Sequence, residues 1–455
     1  MNHLDLLGFF GFIVLISARA IYSSRTVNSE SAYVLASKST GLFALLTTLV
    51  MTEFNPSTLI GFSGAGYFAG VYGICLPLVF LIGLGFYCIT VAKKWKELGA
   101  TSVAELFTIR YGRVAGKLAS SLLILAMLGF SANYIKSLEL LFSPIFPEIK
   151  PILISILIVL LILFLCGRGG LISIIQVDII SFLATLVFIP LLLYFSWKNT
   201  NLNFETALGA IPIETGMEIL KPKFVFSLVI LTMFTYIAAP WYGQKIFSAE
   251  SPKVAIQAVG LASVSVFLFY SIPVLSTLML KSGNVKLVSP DEGIPYIIKN
   301  LFPNFLRGFS YAVLFSAGAT TLAGVWSAIS GMIVVDILDS KLKEEGIKRT
   351  FLIQTLIGII SLFISQTFID KILDKLILAN IPIAALSYGL LAGFYSKSAS
   401  KIGFYISSIF GIFIGIYSYL NYPSDEYTFI WAVFGIPGIF LSGIIGSKFF
   451  PRRSD

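Results

Sequence analysis

Apolar runs of about 20 residues, set between short polar breaks, recur along the whole chain. A helix of about 20 residues rises about 30 Å, which is the thickness of a bilayer's hydrocarbon core. In that core every backbone N–H and C=O must find its partner within the protein, which a helix achieves internally. The pattern therefore predicts a bundle of membrane-spanning helices. Thirteen spans are expected, at roughly 4–22, 41–69, 72–93, 115–141, 150–167, 171–196, 223–242, 254–280, 307–338, 350–368, 374–395, 402–420 and 428–447. The stretches 41–69 and 307–338 exceed one crossing, so each needs tilt, a kink or an extramembrane end.

Composition closes off the other classes. The 455 residues are 57% hydrophobic and 12% charged, against about 25% charged in soluble domains. So few charges cannot cover a water-soluble surface or keep a chain disordered. Continuous apolar runs also argue against an outer-membrane barrel, whose strands alternate. The formal charge of +9 comes without any long basic run, so no nucleic-acid partner is expected. Lipid is the expected surround. Cys75, Cys88 and Cys166 lie in apolar stretches without metal-ligand spacing. The single histidine, His3, rules out a multi-histidine metal site, and no enzyme activity or organic cofactor is expected.

Charge placement predicts orientation. Leu6–Ala18 is apolar but lacks a basic leader, and Arg19 and Arg25 follow it, so it reads as a retained helix rather than a signal peptide. With the amino end outside, 21 of the 32 Lys and Arg residues fall on the cytoplasmic side, Lys245 among them. That bias predicts a multi-pass protein of a cell membrane, read as a bacterial inner membrane, with its carboxyl end cytoplasmic. The longer external loops are 197–222 and 281–306. Oligomeric state is not read from the sequence.

Two carboxylates lie where lipid would penalise them by about 2.5–3.5 kcal/mol. Glu53 sits in mid-span beside Asn55 and Pro56, with Gly61, Gly64 and Gly66 following; Asp178 lies within Ile174–Ile180. Proline removes a backbone donor. The stretch around Glu53 is expected to unwind and free carbonyls at membrane depth, where half-helix ends bind ions and substrates. Ala317, Thr320 and Thr321, at i, i+3 and i+4, share one face of the ninth span and offer neutral oxygens to a small cation. Glu53, Asn55, Tyr236 and Trp241, near two helix breaks, are the candidate solute contacts.

At these residues the chain resembles the sodium:solute symporter family. The resemblance runs from about 30 to 395 and rests on six segments in the family's order: Tyr33–Gly41, Leu59–Tyr67, Thr101–Gly112, Gly169–Asp178, Gln244–Ser251 with Ala255, and Ala319–Ile337. It implies a LeuT-type core of two inverted five-helix repeats. These would occupy 41–196 and 223–395 of a single transmembrane domain over 1–455, with an extra helix in 1–30 and further helices in 402–455. It implies a Na+ site at the carbonyls of Met51, Phe54 and Ala317 and the hydroxyls of Thr320 and Thr321, with Asp178 as the family's nearby carboxylate.

There are departures. Thr replaces both serines of the tandem pair, Lys38 replaces an arginine, and Gln176-Val177 replaces Trp-Thr. Ala238 and Ala239 stand where members with known solutes often carry Asn or Gln, which makes the pocket more apolar and leaves the solute open. The function so implied is sodium-coupled import of a small organic solute by alternating access. The rivals are a proton-coupled carrier using Glu53 and a transport-inactive membrane sensor.

Overall fold

The computed structural model describes residues 2–166, 169–340, 342 and 346–451. Arg168, Lys341, Lys343, Arg452 and Arg453, which enter the charge count, lie outside the described residues, as does the side chain of Cys166. The described residues form helices joined by short loops. In chain order the main ones are α1 (His3–Ser24), α2 (Leu42–Glu53), α3 (Pro56–Ala69), α4 (Cys75–Tyr87), α5 (Arg113–Phe142), α6 (Pro151–Cys166), α7 (Gly170–Lys198), α8 (Pro222–Tyr236), α9 (Pro240–Ser248), α10 (Pro252–Ser282), α11 (Leu306–Met332), α12 (Ile347–Thr367), α13 (Ile372–Ala379), α14 (Ser387–Tyr395), α15 (Lys401–Asn421) and α16 (Ile436–Phe449).

Among the described residues, ten helical stretches are long and apolar enough to span a bilayer, or up to eleven if the bent pair α8–α9 is one span. This supports about ten crossings rather than directly the expected thirteen. The difference has physical causes. Helices α2 and α6 fall short of the length of a full crossing. The expected 72–93 span lies inside a 43-residue helical stretch, Pro56–Leu98. That length would rise about 65 Å, twice the hydrocarbon core. Gly70 interrupts it at φ +62°, which no ordinary helix residue adopts.

Large apolar side chains face outward along the peripheral helices, among them Phe10, Val14, Leu157, Phe363, Ile409 and Phe413. In water such a surface would aggregate, whereas in lipid it is the natural exterior. The centre is α11, whose most apolar window is buried on every side. Helix α1 is keyed to it through backbone. A methyl placed on Gly308 would lie 1.8 Å from the Asp5 carbonyl oxygen, and one on Gly8 would lie 2.4 Å from that of Phe305. Asp5 also caps its own helix with Asn2 and accepts from the Phe305 N–H at 3.2 Å.

A Gly308→Ala variant is therefore expected to lose about 1–3 kcal/mol by overpacking. Gly11→Ala, where an added methyl meets nothing within 4 Å, serves as the control. Thermal unfolding in detergent compares the two. Equal transition temperatures would show that the α1–α11 contact carries no stability.

Several of the sequence motifs interlock helices rather than line a cavity. Glu105 accepts from the Thr101 N–H at 2.7 Å and its hydroxyl at 2.8 Å. Ser102 donates to Asp336 at 2.8 Å, joining the third motif to the last. Gln244 donates to the Val34 carbonyl at 2.8 Å and to Ser327 at 3.0 Å.

Candidate functional site

Two helix breaks face each other at the centre. The first separates α2 from α3. Helix α2 ends at Glu53, Asn55 is extended (φ −129°, ψ 156°), and Pro56 opens α3. Proline suits a first helical position because its missing N–H would have no partner there. Asn55 caps α3, accepting from the Thr58 N–H at 3.0 Å. Its amide donates back to the Glu53 carbonyl at 2.9 Å. The Tyr270 hydroxyl donates to the same carbonyl and accepts the Asn55 N–H at 3.1 Å. The break is thus short and braced by side chains. Gly61, Gly64 and Gly66 do not unwind the span, as the sequence suggested; they lie within α3. Gly66 instead lets α3 approach the Val274 carbonyl of α10.

The second break, Ile237–Ala239, bends α8 against α9 by 48°. Tyr236 and Trp241 flank it, and both reach Glu53. The Tyr236 hydroxyl donates to Glu53 Oε2, and the Trp241 indole N–H donates to Oε1 at 3.3 Å. The structure thus brings together the expected Glu53, Asn55, Tyr236 and Trp241 around one cavity of about 70 Å³. Ala238 and Ala239 are buried in the break itself and do not line this cavity. Leu373 and Ile377 of α13 separate it from a wider space of about 800 Å³, whose walls include Lys221 and Asp291 from the loops 197–222 and 281–306.

Behind Glu53 the other candidate residues meet. The Thr321 hydroxyl lies 3.0 Å from the Met51 carbonyl and 2.8 Å from the Ala317 carbonyl, so one side chain bridges α2 and α11. Thr320 back-bonds to the Ser316 carbonyl at 3.1 Å. Phe54 is buried at the break, its N–H donating to the Val50 carbonyl at 2.8 Å. Helix α7 closes this side through Ser181, 2.5 Å from Ser316, and through Asp178.

Asp178 leads to a residue the sequence reading misplaced. Lys245, assigned there to a cytoplasmic loop, is buried within α9, because the seventh span runs on past residue 242 to Ser248. Its ammonium lies 3.2 Å from Asp178 Oδ2, donates to the Thr48 carbonyl at 2.9 Å and also reaches Thr52 Oγ1. The Thr48 hydroxyl donates to the same carboxylate oxygen at 2.5 Å. Asp178 Oδ1 has no hydrogen-bond partner in the structure. The spacing held the signal: Trp241 and Lys245 are one helical turn apart, so both face the core.

The model of the sodium:solute symporter family matches residues 33–411. The chain belongs to the sodium:solute symporter family. Its fold is similar to that of a Na+-coupled sialic acid symporter solved in a substrate-bound outward-open state, with a TM-score of 0.84 at 17% identity over 100% of this chain and 99% of the other. A manganese transporter of Eremococcus coleocola is similar at a TM-score of 0.54 and 14% identity, over 90% of this chain and 95% of that one. The all-helical, multi-pass membrane architecture read from the apolar runs is that of a known Na+ symporter fold.

Proposed function

We propose that this symporter couples inward movement of Na+ to import of a small organic solute by alternating access. The observation that carries this reading is the Thr321 hydroxyl, set between the carbonyls of Met51 and Ala317. Neutral oxygens from a helix break and from a facing helix suit a weakly held hard cation. In this reading Na+ takes the carbonyls of Met51, Phe54 and Ala317 with the hydroxyls of Thr320 and Thr321. It thereby ties α2 to α11. Asp178 sits on the adjoining wall as the partner of Lys245. The solute occupies the cavity between the breaks, against Glu53, Asn55, Tyr236 and Trp241. The two repeats, 41–196 and 223–395, would move about this joint, in a membrane where the amino end is outside and the carboxyl end cytoplasmic.

One sodium ion crossing 100 mV releases about 2.3 kcal/mol, and a tenfold gradient adds about 1.4. Together, about 3.7 kcal/mol supports accumulation on the order of 500-fold.

The test uses the purified full chain. Sodium, replacing potassium at constant ionic strength, is expected to raise the unfolding transition. A free ligand at 100 times its Kd stabilises by about 2.7 kcal/mol. Identical melting in the two salts would overturn the sodium site. Uptake that follows pH and ignores sodium would favour a proton-coupled carrier instead.

A further inference from the structure

The cavity between the breaks also says what kind of solute it suits. Among its described lining residues the one charged side chain is Glu53. Six are aromatic: Phe62, Phe80, Phe130, Tyr134, Tyr236 and Trp241. Their rings stand close together, with centroids of Phe130 and Trp241 4.9 Å apart and those of Phe80 and Tyr236 5.9 Å apart. The hydrogen bonds to the Glu53 carboxylate come from the neutral donors Tyr236 and Trp241. The nearby ammonium of Lys245 pairs with Asp178 instead.

A carboxylate accepts about four hydrogen bonds, so capacity remains on both oxygens. Beyond Glu53 the polar groups of the wall are all neutral: the hydroxyls of Thr58, Tyr134, Thr232 and Tyr236, the Trp241 indole and the amides of Asn55 and Asn380. The Asn55 amide caps α3 and donates to the Glu53 carbonyl, and the Asn380 amide donates to the Leu376 carbonyl at 2.9 Å. An anionic solute would meet Glu53 with no basic residue on the wall. A cation meets a negative charge and the electron-rich faces of aromatic rings, an attraction that strengthens when water is excluded.

We propose that the solute is a small organic cation, an alkylammonium held by Glu53 within this aromatic cage. The proposal rests on the symporter reading and narrows it to a substrate class. At about 70 Å³ the cavity fits a small head group rather than a sugar-sized molecule.

The test is thermal unfolding of the purified full chain in sodium and, separately, in potassium. The probes are ethylammonium, tetramethylammonium and choline, with tert-butanol and 3,3-dimethylbutan-1-ol as uncharged shape partners of the last two. At least one cation is expected to raise the transition, and the alcohols to leave it unmoved. Glu53→Gln is expected to weaken that cation's apparent affinity about tenfold or more. If that variant does not fold, Trp241→Leu tests the cage and is expected to weaken the same cation. A sodium effect with no response to any cation, or alcohols acting as strongly as their cations, would overturn the cation class and leave the symporter reading standing. A cation response with no sodium effect would retain the cage and sink the coupling.

Discussion

Replacing Lys245 with methionine is expected to cost the folded protein about 3–5 kcal/mol, enough to lose most of the monodisperse material in detergent. The side chain is 1% exposed, and so is its partner Asp178. Removing the ammonium leaves a carboxylate in a low-dielectric interior with only the Thr48 hydroxyl donating to it. The Thr48 carbonyl and the Thr52 hydroxyl lose a donor at the same time. Asp178→Asn alone is expected to do comparable damage by stranding the ammonium. The double variant Lys245→Met/Asp178→Asn should recover much of the loss, because no uncompensated charge remains. Size-exclusion profiles and unfolding temperatures of the three variants decide this. A single variant as stable as the wild type would show that the pair is not structural.

The second large effect concerns sodium. Thr321→Ala is expected to raise the sodium concentration for half-maximal stabilisation by about tenfold to a hundredfold, corresponding to about 1.5–3 kcal/mol for a ligand to a charged group. Thr321→Ser keeps the oxygen, loses only the methyl, and should stay near wild type. The pair separates a lost ligand from a lost contact, because both variants disturb packing in the buried centre of α11. Unchanged sodium activation in Thr321→Ala would remove this residue from the site.

Much of this architecture is legible from local chemistry. Apolar length places most of the helices, and a proline beside a carboxylate marks the first break at Glu53–Pro56. The hydroxyl at i+4 puts Thr321 against α2, while Thr320 at i+3 bonds its own helix. What the sequence hides depends on neighbours distant along the chain. Lys245 looks like a loop charge because Gln244 precedes it and polarity usually ends a span. Only Asp178, 67 positions away, explains why it can be buried. Glycines near a proline suggest unwinding, yet the carbonyl that Gly66 admits belongs to Val274 on another helix. Glu53 is recognisable as an intramembrane carboxylate, but its cage is assembled from α3, α4, α5, α8 and α9, which no spacing rule brings together.

The complete enclosure of α11 bears on how the protein is made. A helix with no lipid-facing side is released from selection for lipid solubility, and its hydroxyl-rich stretch shares the lowest mean hydropathy of the ten candidate spans. Its final surroundings come from helices on both sides of it in the chain. On one side α1 presents the Asp5 carbonyl against which Gly308 seats, and on the other α12, which follows α11 in the chain, sets Gly358 beside the Trp326 ring. The segment bearing Thr320 and Thr321 therefore reaches its native surroundings only once α12 has followed it out of the ribosome.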